Sequence, residues 1–132
     1  MSAIGTVGTT ARIALGGVRI LAGTTGLLAP TMIISRFGDS DPRANPAAIY
    51  GLRLFGIRTV LIGVDLIRLR GRDLDRALWA APIIHATDTA TVLTLQRSKQ
   101  LSPERARPLA LISGLNTVLA VTAYAASRRN RP

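Results

Sequence analysis

The chain has 132 residues, enough for one domain, and contains no cysteine, which excludes disulfides, thiolate chemistry and cysteine-based metal or iron–sulfur sites. Its net charge is +10, but the basic residues (all arginine except Lys99) sit at the ends of apolar runs rather than along one helix face, and aromatic residues make up only 4%, so neither a basic stripe nor a stacking platform for nucleic acid is present. Hydrophobic residues make up 48% and are interleaved with Gly, Ala, Ser and Thr, a mixture that suits helices packed within a bilayer, where small residues let backbones approach.

Four apolar segments follow one another, each near the ~20 residues needed to cross a bilayer. The first spans about residues 10–34, with Pro30 in its last turns as a bend. Its first basic residue is Arg12, and no A-x-A-like cleavage site follows, so it reads as a retained helix rather than a signal peptide. Residues 35–45, with Gly38, Asp39, Asp41 and Pro42, read as an ordered turn region. The second segment covers about 46–70: Asn45 is a good N-cap, Pro46 suits the first helical position, and Gly71 is a natural C′ residue. The third covers about 74–99, capped by Asp73, with Pro82 as a possible kink. Ser102-Pro103-Glu104 opens the fourth, about 103–128. The expectation is an all-α protein, a single domain over residues 1–132 in which four transmembrane helices form an antiparallel bundle. The connection Gly71-Arg72-Asp73 is so short that the second and third helices are expected to form a tight hairpin.

Four crossings put both termini on one side. Arg12, Arg68, Arg70, Arg72, Arg76, Arg128, Arg129 and Arg131 fall on that side, against Arg36, Arg43, Arg97, Lys99, Arg105 and Arg107 on the other. Eight against six favours cytoplasmic termini in a plasma (inner) membrane, with anionic headgroups as lipid partners. The competing reading is a soluble helical bundle, prompted by a mean hydropathy of only +0.30 and by Arg53, Arg58 and Asp65 in the second segment. Against it, the first and fourth segments lack a polar face, and Gly16, Gly17, Gly23 and Gly26 would weaken a water-exposed helix.

Three basic residues, Arg19, Arg53 and Arg58, lie inside predicted spans. Matching depths across the expected hairpin puts Arg58 level with Ala86, flanked by His85 and Asp88. Asn116 lies near the centre of the fourth helix, and Thr24 and Thr25 near the centre of the first, so every helix offers a polar group to one central layer. A charged side chain at mid-bilayer costs about 2.5–3.5 kcal/mol on insertion scales and normally faces the interior. The expected network is therefore Arg58 paired with Asp88, His85 bonding Asp88, Asn116 or a water, and Arg53 snorkelling or meeting hydroxyls such as Thr91. Asp65 and Arg68 form a second i,i+3 pair nearer one surface, with Arg76 close in depth. Either this layer fixes helix register, or it is a proton or ligand site centred on His85 and Asp88. One His and one Asp are too few for a metal, and no Ser or Thr is placed beside His85 for nucleophilic catalysis, so no cofactor, metal or catalytic set is expected.

The run Arg53-Leu54-Phe55-Gly56-Ile57-Arg58, an R-x-x-G-x-R element, followed on the next helix by His85-Ala86-Thr87-Asp88, an H-x-x-D element, resembles a group of small bacterial four-helix membrane proteins of unassigned function. The resemblance runs from about Ile13 to Tyr124 and implies the membrane fold, with no chemistry attached. Small residues give a further sign: Ala22 and Gly26 form a small-xxx-small element, and Gly56 and Gly63 share one stripe. Together these features point to a non-enzymatic accessory or interaction subunit of a larger membrane assembly, with other membrane subunits as partners. The alternative is a small-solute or proton-coupled transporter using Arg58, His85 and Asp88.

Overall fold

The computed structural model describes residues 3–129. Arg131, counted above among the basic residues at one end, lies outside them. Among the described residues the regular structure is entirely helical: α1 (Ala3–Leu28), a short α2 (Pro30–Arg36), a 3-10 turn (Pro42–Ala44), α3 (Pro46–Arg68), α4 (Gly71–Arg97) and α5 (Pro103–Arg129).

Two boundaries differ from expectation, each for a local reason. The first predicted helix, 10–34, starts at Ala3 and divides in two at Ala29, whose φ of −133° and ψ of 54° leave the helical region. Pro30 has no N–H to continue α1, so it takes the first position of α2 instead. The third predicted helix begins two to three residues early. Gly71 adopts φ +58°, opens α4 itself rather than closing α3, and leaves Asp73 within the first turn, where its charge complements the helix N-terminus. Asn45 acts as read: its side chain accepts a hydrogen bond from Ala48 N at 3.1 Å, and Pro46 occupies the first helical position. Its amide also donates to Asp39 Oδ2 at 3.2 Å, while Asp39 Oδ1 accepts from Asp41 N, so residues 39–45 form an ordered turn.

The packing order departs from the predicted hairpin. α1 packs against α3 on one flank and α5 on the other, α4 packs on α5, and α3 and α4 share little contact despite the turn that joins them. Glycine explains the choice. Gly16 faces Gly63 and Gly23 faces Gly56, so a seven-residue repeat on α1 meets the same repeat running backwards on α3. The backbones are so close that a Cβ on Gly56 would sit 2.5 Å from Gly23 O, and one on Gly23 would sit 2.6 Å from Gly56 O. With its small-residue face committed to α1, α3 has none to offer α4. Arg12 secures the same pair by donating to Leu66 O at 2.7 Å, one of the carbonyls left over at the C-terminal end of α3.

The interior is built from small side chains. Ala11, Ala81, Ala106, Ala120, Ala123 and Ala126 are buried, with Leu15, Ile34, Leu66, Leu78 and Leu101 as the larger apolar members. The big apolar side chains point outward: Leu21, Leu28, Trp79 and Leu111 are between 60% and 74% exposed. Water would penalise that surface heavily, whereas lipid accepts it. α1, α3 and α5 are each long and apolar enough to cross a membrane.

Candidate functional site

The deepest polar cluster joins α1 to α4, not α3 to α4. Arg19 and His85 are only 4% and 2% exposed. Arg19 Nη1 lies 2.7 Å from His85 Nε2 and 3.4 Å from Nδ1. A guanidinium can only donate, so Nε2 accepts and the ring proton sits on Nδ1. Nδ1 faces Asp88 Oδ2 at 3.6 Å, beyond a good hydrogen bond but near enough for the carboxylate to favour that tautomer. The Asp88 side chain is 44% exposed, so the chain of groups runs from the interior to the protein surface.

Helix geometry explains why Arg19 arrives here. It follows Gly16 by three residues and precedes Gly23 by four, so it shares their inward face. A helical side chain leans toward its own N-terminus, which carries the guanidinium back along α1 to the level of His85. Asn116 of α5 is buried beside the same layer. Gly8 abuts Ala126, and following both helices eleven residues from that contact brings Arg19 level with Leu115, next to Asn116. Among the described residues, Arg19 Nε and Asn116 Oδ1 are buried without a hydrogen-bond partner, one a donor and the other an acceptor. One turn further along nearly the same face of α4, the Thr89 and Thr117 hydroxyls lie 3.4 Å apart, linking α4 to α5.

Of the residues proposed from sequence, His85 and Asp88 come together, Asn116 is buried on α5 with its Oδ1 unpartnered, and Arg58 does not join them. It is exposed on α3 and forms no hydrogen bond or ion pair with His85 or Asp88. Depth matching across an assumed α3–α4 hairpin failed because α3 packs on α1. Arg19, noted only as lying within a span, takes the place assigned to Arg58; its position on the glycine face of α1 was the available signal. Arg53 is likewise exposed and does not reach Thr91, whose hydroxyl bonds Thr87 O instead. Asp65 and Arg68 are both exposed and form no ion pair with each other. Thr24 and Thr25 turn their hydroxyls back to Ile20 O and Leu21 O, so they contribute nothing to the layer.

The chemistry available is narrow. Among the described residues no three His, Cys, Asp or Glu side chains converge. An open cavity of about 410 Å³ lies near the 39–45 turn, lined by Ile34, Phe37, Asp39, Asn45, Ala48, Gly51 and Leu52, well away from His85 in the chain and in depth. Comparison with protein-family models, with curated proteins and with solved structures finds no match.

Proposed function

We propose that the protein is a polytopic membrane protein with four crossings, and that it serves as a non-enzymatic accessory or interaction subunit of a larger membrane assembly. The packing of α4 along α5, one of the three helices apolar enough to cross, supports a fourth crossing by α4. Its polarity is compatible with lipid. The hydroxyls of Thr87, Thr89, Thr91 and Thr94 each donate to the carbonyl four residues earlier, and His85 is turned inward. The motif resemblance to small four-helix membrane proteins supports the same topology. Eight basic residues against six favour a plasma membrane orientation with cytoplasmic termini.

One observation carries the subunit reading. Arg58 lies in the middle of the apolar helix α3 and is exposed on the surface of the isolated chain. Left against hydrocarbon it costs about 2.5–3.5 kcal/mol on insertion scales, which a protein neighbour removes. The test is native-state sizing from membranes in several mild detergents. Migration in a particle larger than one chain plus its micelle is the expected result. A lone monomer throughout would remove the basis for the reading.

A second reading, a small-solute or proton-coupled carrier, is favoured by the continuity from exposed Asp88 to buried His85 and Arg19. Flux into liposomes that depends on His85 and Asp88, and is lost in His85→Ala and Asp88→Asn, would establish it. Equal flux in wild type and both variants would eliminate it.

A further inference from the structure

α3 and α4 leave a seam between them, and both walls of that seam carry charge. Leu66 packs in one cluster with Leu78 of α4, which identifies the flank of α3 that looks toward α4. Arg58 lies on that flank, roughly 80° round the helix from Leu66 and farther from α1. On α4, Thr89 meets α5 through Thr117, and Asp88 lies about 100° round the helix from it, off the α5 face and on the flank beyond His85 where α3 lies. With α3 and α4 sharing little contact, Arg58 and Asp88 border the loosely packed seam between them at mid-depth.

The charges there do not balance. Arg19 and Arg58 are both cationic, His85 accepts a hydrogen bond and is neutral, and Asp88 supplies one negative charge. One positive charge is left over, and it belongs to Arg58, since Asp88 lies beside His85 in front of Arg19. Asp65 is seven residues from Arg58, about 10 Å along the helix, too far to pair. Snorkelling does not help either. Arg58 is about 18 Å from the Pro46 end of α3 and about 15 Å from the Arg68 end, beyond the reach of its side chain. Arg53 is seven residues from Pro46 and leans toward it, so it reaches the interface. A second copy of the chain in the same orientation would set Arg58 against Arg58, which like-charge repulsion disfavours. Lipid headgroups lie at the wrong depth.

Resting on the subunit reading above, we infer that the α3–α4 seam receives one membrane-spanning helix of a different protein, and that this helix carries a single Asp or Glu at mid-depth to pair with Arg58. Such a pair is bidentate and desolvated, and therefore selective for a carboxylate. Phe55, on the same wall as Leu66, is 47% exposed, and Leu61, one turn past Arg58 on the outer side, is 56% exposed; together they supply apolar contact on either side of Arg58.

Two measurements test this. The full chain in nanodiscs is mixed with synthetic leucine-rich spanning helices that differ at one central residue, Asp, Asn or Leu, and association is read by energy transfer. The Asp helix is expected to bind about tenfold more tightly than the Leu helix, about 1.4 kcal/mol. That preference should vanish in Arg58→Leu and survive in Arg58→Lys. Equal binding of the Asp and Leu helices overturns the inference, as does an Asp preference retained in Arg58→Leu. In parallel, a photo-crosslinking residue at Leu61 is activated in intact membranes. An adduct with a protein bearing a mid-span acid, lost in Arg58→Leu, supports the pairing. An adduct with a protein lacking such an acid, or with a second copy, overturns the carboxylate partner but leaves the subunit reading standing. Adducts with lipid alone sink both.

Discussion

Replacing Gly56 with alanine should destabilise the protein even though alanine is the better helix former. The added Cβ would meet Gly23 O and Leu27 N at 2.5 Å and Gly26 C at 3.0 Å, where ordinary contact begins at 3.4 Å. All three atoms are backbone, so no side chain can swing aside. α1 and α3 must instead part by about 1 Å, a gap at which a dispersion contact loses up to half its depth, and the loss is repeated along the seam. Overpacking of this kind costs about 1–3 kcal/mol. The helix-propensity gain offsets at most about 1 kcal/mol, leaving a net loss of about 2 kcal/mol with the upper end of that range applying. Gly17→Ala is the control: a Cβ there meets nothing within 4 Å, so that variant should be equal to wild type or stabler by up to about 1 kcal/mol. Both are measured by equilibrium unfolding in mixed micelles with rising SDS, followed through the single tryptophan, Trp79, and far-UV circular dichroism. If Gly56→Ala unfolds at the same SDS fraction as Gly17→Ala, the close backbone approach between α1 and α3 is wrong. A Gly23→Ala/Gly56→Ala double variant should lose less than the two single losses added, because one separation of the helices relieves both clashes.

His85→Leu strands the buried Arg19 guanidinium and should cost about 3–5 kcal/mol, while Arg19→Met/His85→Leu together should recover most of that loss; a double-mutant cycle in the same unfolding assay checks both. Asn45→Ala removes the α3 N-cap and should cost about 1 kcal/mol, with Asn45→Asp close to wild type. Arg12→Ala frees the Leu66 carbonyl at the C-terminal end of α3 and should cost about 0.5–1.5 kcal/mol, read as faster amide exchange in the last turn of that helix.

The local grammar of the chain was legible because each signal acts within a few residues. Asn45-Pro46 and Ser102-Pro103 mark helix starts by capping and by the missing proline N–H, and helices begin at Pro46 and Pro103. Pro30 was read as a bend where it divides the helix. Neighbour choice was not legible from loop length. A short turn brings the ends of α3 and α4 together but says nothing about which faces pack, and the pairing was decided by glycine repeats on α1 and α3 that match only when one is read backwards. The Gly56–Gly63 half of that pattern was visible as a stripe. The Gly16–Gly23 half is harder to see, because Ala22 and Gly26 offer a competing small-residue pair on the same helix, of which Ala22 is exposed. Arg19 lies between Gly16 and Gly23 and is hidden with them. His85 and Asp88 were legible because a polar group in the middle of an apolar run must find company, whichever helix supplies it.

The glycine contact between α1 and α3 has a consequence for biosynthesis. Both helices precede α4 in the chain, so they can lock together while the ribosome is still making the rest. On the four-crossing reading, α4, the one long helix that falls short of the apolarity needed to cross by itself, then enters the bilayer beside a paired scaffold whose buried arginine already offers its imidazole a berth. Weakening the glycine contact, as in Gly56→Ala, should therefore lower the fraction of chains in which α4 inserts, in addition to destabilising the finished protein.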